Sequence, residues 1–378
     1  MHKHSKPISG SIIFNSLNGH NTIVLAVNPR ILHVVRGIMR AAKDIDAPII
    51  FELARSECNL ENGYTGLTPA MFSKGLHEAA DDVGHDLWAI HADHIGIKTG
   101  NDDEIESTKE LISAHIEAGY TSFAIDASHL FNFEGKTVRQ ELENNIKATT
   151  TIAKFIEKRM QDKEFGLEVE VGEIGKEDAH GRVLTTPEEA VAFIQALNEN
   201  SVYPQVLAIA NGSTHGNVYD EHGYPIEQVS IDIPRTKAVV AALKKANLAV
   251  NVAQHGITGT PRDLIQSQFP KGGIIKGNVA TFWMNLVWDV FKVYEPELYA
   301  KIYGWTLDYF RPKFPDMKDK QIFGTYGKFA IAQFFDEIYA VDKSTVRAIE
   351  AYAYAESLMF FRAFNSEDTG PIVRAALK

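Results

Sequence analysis

What most constrains this chain is an alternation. Eight short apolar, β-rich runs, at residues 22–28, 47–54, 87–93, 122–128, 166–172, 206–211, 248–255 and 273–278, are separated by segments with apolar residues at helical spacing. The helical segments fall at 30–45, 68–83, 102–118, 137–162, 186–199, 234–246, 261–268 and 279–295. Thr68-Pro69 and Thr186-Pro187-Glu188-Glu189 read as helix starts, a capping hydroxyl followed by proline in the first turn. Runs this apolar do not alternate as a half-exposed sheet would, so they predict parallel strands buried on both faces. Eight β-α units in succession predict a (β/α)8 TIM barrel over residues 1–295. The competing architecture, a doubly wound open sheet, lacks support because no glycine fingerprint follows the first run. After residue 296 the rhythm stops, and a stretch dense in Tyr, Phe and Trp predicts a helical, aromatic-rich C-terminal extension over 296–378. Such a stretch either packs on the barrel's outer helices or forms a subunit interface, so a homodimer or larger homo-oligomer is expected.

Composition narrows the function classes. With 45% hydrophobic and 23% charged residues the chain has material for a large core, which excludes disordered and fibrous classes. The single cysteine, Cys58, supplies neither an internal disulfide nor a thiolate cluster, so any metal must be held by carboxylates and the 14 histidines. A formal charge of −11, without a block of Lys and Arg, argues against a nucleic-acid partner. No apolar run reaches the length of a membrane span and the N-terminal residues lack a secretory pattern, so a cytoplasmic protein without a membrane partner is expected.

In a barrel, reactive groups gather at the C-terminal ends of the strands. Those ends here read His91-Ala-Asp93-His94, Asp126-Ala-Ser-His129, Glu168-Val-Glu170-Val-Gly172, Asn211-Gly-Ser-Thr-His215-Gly216, His255-Gly256-Ile-Thr258-Gly259 and Lys276-Gly-Asn278-Val-Ala-Thr281. Singly, each histidine reads as an ordinary hydrogen-bonded one. Together, His94, His215 and His255 come from three strands and suit one Zn2+ with an open fourth position. Asp93 precedes one candidate ligand and is placed as a proton carrier, or else as a carboxylate that only orients a histidine. Glu168 and Glu170 share a strand face; Glu170, nearer the mouth, is expected as an alternate metal ligand and Glu168 as a buried structural acid. The loop at 173–181 is polar and glycine-bearing, and carries an acid-base group or is simply solvated. Glycines 256 and 259 and the helix start at 278–281 offer backbone N-H groups for a phosphate.

On these six collinear motifs the sequence resembles the class II, metal-dependent ketose-bisphosphate aldolases, the family of fructose- and tagatose-bisphosphate aldolases, over residues 20–285. The resemblance implies Zn2+ on His94, His215 and His255, with Glu170 as a ligand when the metal shifts, and Asp93 as the acid-base residue at the aldehyde oxygen. It implies that Glu177 or Asp178 removes the C1 proton, Glu177 being preferred. It also implies that Asn278, Thr281, Gly216, Gly256 and Thr258 hold the phosphate of dihydroxyacetone phosphate, with room for a monovalent cation beside them.

The sequence departs from the family pattern in three places. Ala280 stands where the family carries an acidic residue, Gly175-Lys176 stands where it has Gly-Gly, and the second run ends Phe51-Glu-Leu-Ala54-Arg55-Ser56. Arg55 is a candidate clamp for a second anion, or else a surface ion pair. The segment from Asn62 to Phe72, Asn-Gly-Tyr-Thr-Gly-Leu-Thr-Pro-Ala-Met-Phe, resembles instead the non-catalytic accessory subunits of tagatose-bisphosphate aldolases. Those subunits lack the full three-histidine set that this chain keeps.

The resulting expectation is reversible aldol cleavage of fructose 1,6-bisphosphate to dihydroxyacetone phosphate and glyceraldehyde 3-phosphate. The alternatives are tagatose-bisphosphate cleavage, an accessory-subunit role, or a metal-dependent barrel hydrolase. Lys276 leaves a Schiff-base route formally open.

Overall fold

In the computed structural model, which describes all residues except 1–4, 174–176, 179–180 and 215, with backbone alone at 177, 178, 181 and 182, eight parallel strands close into a barrel. They are β1 (Val24–Val27), β2 (Ile49–Ala54), β3 (Trp88–Gly96), β4 (Ser122–Asp126), β5 (Gly166–Glu170), β6 (Val206–Ala208), β7 (Asn251–Gln254) and β8 (Ile274–Val279). Each pairs with its successor, and β8 closes on β1 with Val24 beside Lys276 and Ala26 beside Asn278. All eight lie where the apolar runs predict. β6 stops at Ala208, and Asn211 and Gly212 are already in the loop.

The helices follow their capping chemistry. Thr186 and Glu189 form a reciprocal capping box with Pro187 in the first turn, and the Thr68 hydroxyl accepts from Met71 N. The expected helix at 137–162 is divided into Val138–Glu141 and Glu143–Met160, broken at the buried Leu142. A further helix, Gly10–Leu17, falls outside the sequence expectation. It buries Ile13, Phe14 and Leu17 against Val24, Ala26, Ile50, Ala89, Val206 and Ala208. The N-terminal end of the barrel is thereby plugged by side chains.

The extension packs on the barrel. Its 22-residue helix Lys343–Phe364 lies against helix Val35–Asp44, at a point where a Cβ on Gly37 would sit 2.1 Å from the Glu350 carbonyl oxygen. Ile23 N donates to Phe364 O at 3.0 Å, tying that helix to the chain just before β1. Aromatic side chains knit the remainder, with Tyr326 stacked between Phe310 and Phe314 at 4.6 Å from each. Among the described residues no helix is long and apolar enough to cross a membrane.

Candidate active site

β3 carries a local irregularity at the residues of most interest. Its register with β4 runs His91 to Ser122 and Ala92 to Phe123, then jumps to Ile95 against Ile125. Two residues, Asp93 and His94, therefore oppose one, a β-bulge, and His94 sits at φ +36, a conformation rare for a residue with a side chain. The bulge breaks strict alternation, so that two consecutive polar side chains both face the barrel mouth and line its cavity.

His94 Nε2 and His255 Nδ1 lie 3.0 Å apart. Two nitrogens bound to one tetrahedral Zn2+ at about 2.05 Å would be about 3.3 Å apart, so the pair has the spacing of common ligands. The outer nitrogens are held by carboxylates, His94 Nδ1 at 3.0 Å from Glu170 and 3.4 Å from Asp126, His255 Nε2 at 3.0 Å from Glu168. That is how metal-binding imidazoles are oriented, with the metal-facing nitrogen left basic. Asp93 completes a three-residue cluster with His94 and His255, its Oδ2 at 4.0 Å from His94 Nε2. Burial opposes charge on His94, but Asp93 and Glu170 outweigh it and hold its pKa well above the ordinary value. The same anionic field favours a divalent cation in place of that proton. The donor set thus fits a zinc-type ion.

The sequence places Glu170 as an alternate ligand; the structure sets it against the outer nitrogen of His94, where it orients the ring. Burial and the neighbouring Asp126 push its carboxyl up to about 8. His215 lies outside the described residues, though Gly216 beside it lines the same cavity. Glu177 and Asp178 pair as backbone with Arg182 and Gly181 in a two-stranded ribbon after β5.

Beneath the histidines sits a buried ionic cluster. Lys276, fully buried, donates to Glu168 at 2.6 Å and lies 2.8 Å from Glu52 and 3.6 Å from Asp93. Burial lowers the pKa of Lys276, yet the carboxylates, Glu168 foremost, overcome this and keep it protonated. A lysine held as ammonium is not a nucleophile, and the Schiff-base route is thereby disfavoured. Burial acts to raise Asp93, but the charges of His94, Lys276 and His255 bring it down to about 2. Glu52, pushed up to about 8 by burial and by Asp93, accepts from Asn278 Nδ2 at 2.7 Å. Among the described residues Asn278 Oδ1 has no hydrogen-bond donor.

The cavity above this cluster, of about 370 Å³, is lined by Asp93, His94, Glu170, His255 and Asn278, and also by Gly216, Gly256, Thr258 and Thr281. Gly256 adopts φ +68, and a Cβ there would meet Thr214 O at 2.6 Å, so the loop after β7 requires glycine. Thr281 opens helix Thr281–Tyr294, whose N-terminus suits an anion.

Arg55 is not part of this wall. Its guanidinium donates to Gly96 O, Thr108 Oγ1 and Ser107 Oγ, behind β2, which corrects both the anion-clamp and the surface ion-pair expectations. The cavity's guanidinium is instead that of Arg30, bonded to Glu57 at 2.8 Å and to Thr281 Oγ1 at 3.1 Å. Sequence reasoning passed over Arg30, Glu52, Glu57, Tyr64 and Lys328. Arg30 lies just past the end of the first run, where the strand-end rule applied to every run would have found it.

The family described as "Fructose-bisphosphate aldolase class-II" matches residues 9–344. A protein of Giardia intestinalis named "Fructose-bisphosphate aldolase" is 25% identical over 249 residues, 65% of this chain and 63% of that protein. One of the same name in Pseudomonas aeruginosa is 26% identical over 266 residues, 67% of this chain and 66% of that protein. The matched stretch thus spans slightly less than two thirds of either relative's length. A crystal structure of fructose-bisphosphate aldolase from Campylobacter jejuni superposes with a TM-score of 0.63 at 19% identity, covering 96% of this chain and 97% of that one. At that identity the likeness concerns the fold.

Proposed function

The chain belongs to the class-II fructose-bisphosphate aldolase family, and from that premise we propose that it catalyses the reversible aldol cleavage of fructose 1,6-bisphosphate into dihydroxyacetone phosphate and glyceraldehyde 3-phosphate. One observation carries the reading: two carboxylate-oriented imidazoles face each other at 3.0 Å beside a cavity that ends at a glycine-rich loop and a helix start. His94, His255 and His215 would hold Zn2+, and Glu170, which orients His94 from its outer nitrogen, would serve as a ligand only when the metal shifts. Such an ion supplies Lewis-acid charge to the ketone and hydroxyl oxygens of the substrate.

The chain's own residues divide the remaining work. Asp93, ionised beside Lys276, takes the proton from the C4 hydroxyl in cleavage and returns it to the aldehyde oxygen in condensation. Asn278, fixed through its Nδ2 by Glu52, presents Oδ1 to a substrate hydroxyl. Gly216, Gly256, Thr258 and Thr281 bind the phosphate of dihydroxyacetone phosphate through backbone N-H groups and hydroxyls. Glu177 or Asp178, on the ribbon after β5, exchanges the C1 proton.

The test is a coupled assay of the purified chain with fructose and tagatose 1,6-bisphosphates, before and after dialysis against a strong chelator. The reading expects cleavage by the chain alone, faster on the fructose epimer, abolished by chelation and restored by Zn2+ or Co2+. Full activity in metal-free protein, trapped by borohydride, would overturn it, and inactivity without a second polypeptide would favour the accessory-subunit alternative.

A further inference from the structure

Among the described residues, the charged layer below the cavity holds more acids than bases. Glu52 on β2, Asp93 on β3 and Glu168 on β5 surround the Lys276 ammonium on β8 at 2.8, 3.6 and 2.6 Å, and all four side chains are buried. The imidazoles facing this group, His91 on β3 and His255 after β7, are both turned to Glu168, at 3.4 and 3.0 Å. Arg30 and Glu57, on the cavity wall, neutralise one another. A divalent ion at His94 and His255 does not remove the excess, because Glu170 and Asp126 lie against His94 as well. An uncompensated buried anion is costly, so a carboxyl of the Lys276 cluster holds a proton.

The partners of each carboxyl say which one. Glu168 has Lys276 and two imidazoles, and Asp93 has Lys276 and His94. Glu52 has Lys276 at Oε2, and its Oε1 meets the uncharged amide of Asn278 at 2.7 Å. Burial foremost, then the charge of Asp93, hold its carboxyl up at about 8, so the proton rests on Glu52 at neutral pH. An amide offers a donor at one end and an acceptor at the other. Ionised, Glu52 accepts from Asn278 Nδ2 and leaves Oδ1 for a substrate hydroxyl. Protonated on Oε1, it donates to Oδ1 across the same gap while Oε2 still accepts from Lys276, and Nδ2 then faces the cavity that Asn278 lines.

We propose that Glu52 is a positioning residue whose proton selects which end of the Asn278 amide the substrate meets. The consequence for turnover rests on the aldolase reading. When the C1 proton of dihydroxyacetone phosphate passes to Glu177 or Asp178, the C-H electron pair moves onto the C2 oxygen. A donor at Asn278 stabilises that charge, so the protonated form of Glu52 favours the step and the ionised form opposes it.

The experiment follows two signals from about pH 6 to 10 in the zinc-loaded wild type and its Glu52→Gln variant, the infrared band of protonated carboxyls and deuterium exchange at C1 of dihydroxyacetone phosphate. Glutamine keeps the size of the side chain, accepts from Lys276 through Oε1 and donates to Asn278 Oδ1 through Nε2, which fixes the protonated arrangement. The wild type should lose, between about pH 7 and 9, a protonated-carboxyl band that Glu52→Gln lacks. Its exchange should fall with the same midpoint, by about tenfold per pH unit, while exchange in Glu52→Gln stays level. Identical infrared titrations of the two proteins, or the same alkaline fall in both, would overturn the proposal. So would a wild type with no protonated carboxyl at neutral pH, whatever the variant does. The two readings fail separately. A Glu52 band in a protein that neither exchanges C1 hydrogen nor cleaves a sugar bisphosphate keeps the proton on Glu52 and overturns the aldolase reading. Exchange that falls alike in both proteins keeps the aldolase reading and overturns the role of Glu52.

Discussion

Along β2 the inward side chains run from Ile50 to Glu52, along β3 from Ala89 through His91 to Asp93, and along β1 from Val24 and Ala26 to Asn28. The lower members pack with Phe14 and Leu17 of the plugging helix into an apolar layer, whereas the upper members meet Glu168, Lys276 and Asn278 in a charged one. One step of two residues, about 6.6 Å along a strand, separates a layer made of dispersion contacts from a layer made of ion pairs. The lower layer can do nothing chemical, and what it supplies is a rigid floor. The upper layer is costly to bury and is tolerated because every charge in it has a partner. Stability and reactivity are thus stacked along the same strands, and substitutions should separate them.

The largest effect should come from Asp93→Ala, which is expected to lower turnover by about 10²–10⁴-fold while metal remains bound. Retained activity in a zinc-loaded variant would remove Asp93 from the reacting atoms. Glu168→Gln should follow, since it loosens His255 from behind; a metal affinity about 10–100-fold weaker is expected by equilibrium dialysis, and wild-type affinity would show that the orienting contact is idle. In the lower layer, Phe14→Ala should cost about 3–5 kcal/mol in denaturant unfolding yet leave KM and metal affinity of the folded protein alone. A catalytic defect there would mean that the two layers are not separable.

Away from both layers, fully buried His115 titrates with its pKa brought down to about 3, chiefly by burial. Because its folded pKa lies below the unfolded value near 6.5, the unfolded chain takes up the extra proton, and stability falls with pH from about 6.5 toward 3, by about 1 kcal/mol per unit. His115→Leu should flatten that part of the stability profile, measured by denaturant titration from pH 7 to 4, and an unchanged slope would refute the assignment. The smallest effect is expected for Arg55→Met, which loses hydrogen bonds behind β2 worth about 1–2 kcal/mol of stability and should leave KM for the sugar bisphosphate where it was.

Most of the upper layer was legible because the strand-end rule needs only sequence order. Asp93, His94, Glu170, His255 and Asn278 all come from ends of runs, and the cavity gathers them. Arg55 was misread through parity: Glu52 and Ala54 face the cavity, so the next residue must point away, and alternation alone forecast this. The bulge at His94 had no sequence signature, since it exists only as a register jump against β4. Lys328 was illegible for a different reason. Its place depends on an aromatic contact between Phe329 and Tyr64, two residues joined only by the fold. The plugging helix Gly10–Leu17 was missed because one short apolar helix before the first strand has no partner until the barrel closes.

The account depends most on His94 and His255 gripping one ion, and Co2+ titration of the metal-free protein reads this directly. The expected result is one equivalent per chain with the intense visible bands of a tetrahedral, nitrogen-rich site, lost in His255→Ala. Cobalt binding of undiminished stoichiometry and spectrum in His255→Ala would contradict it.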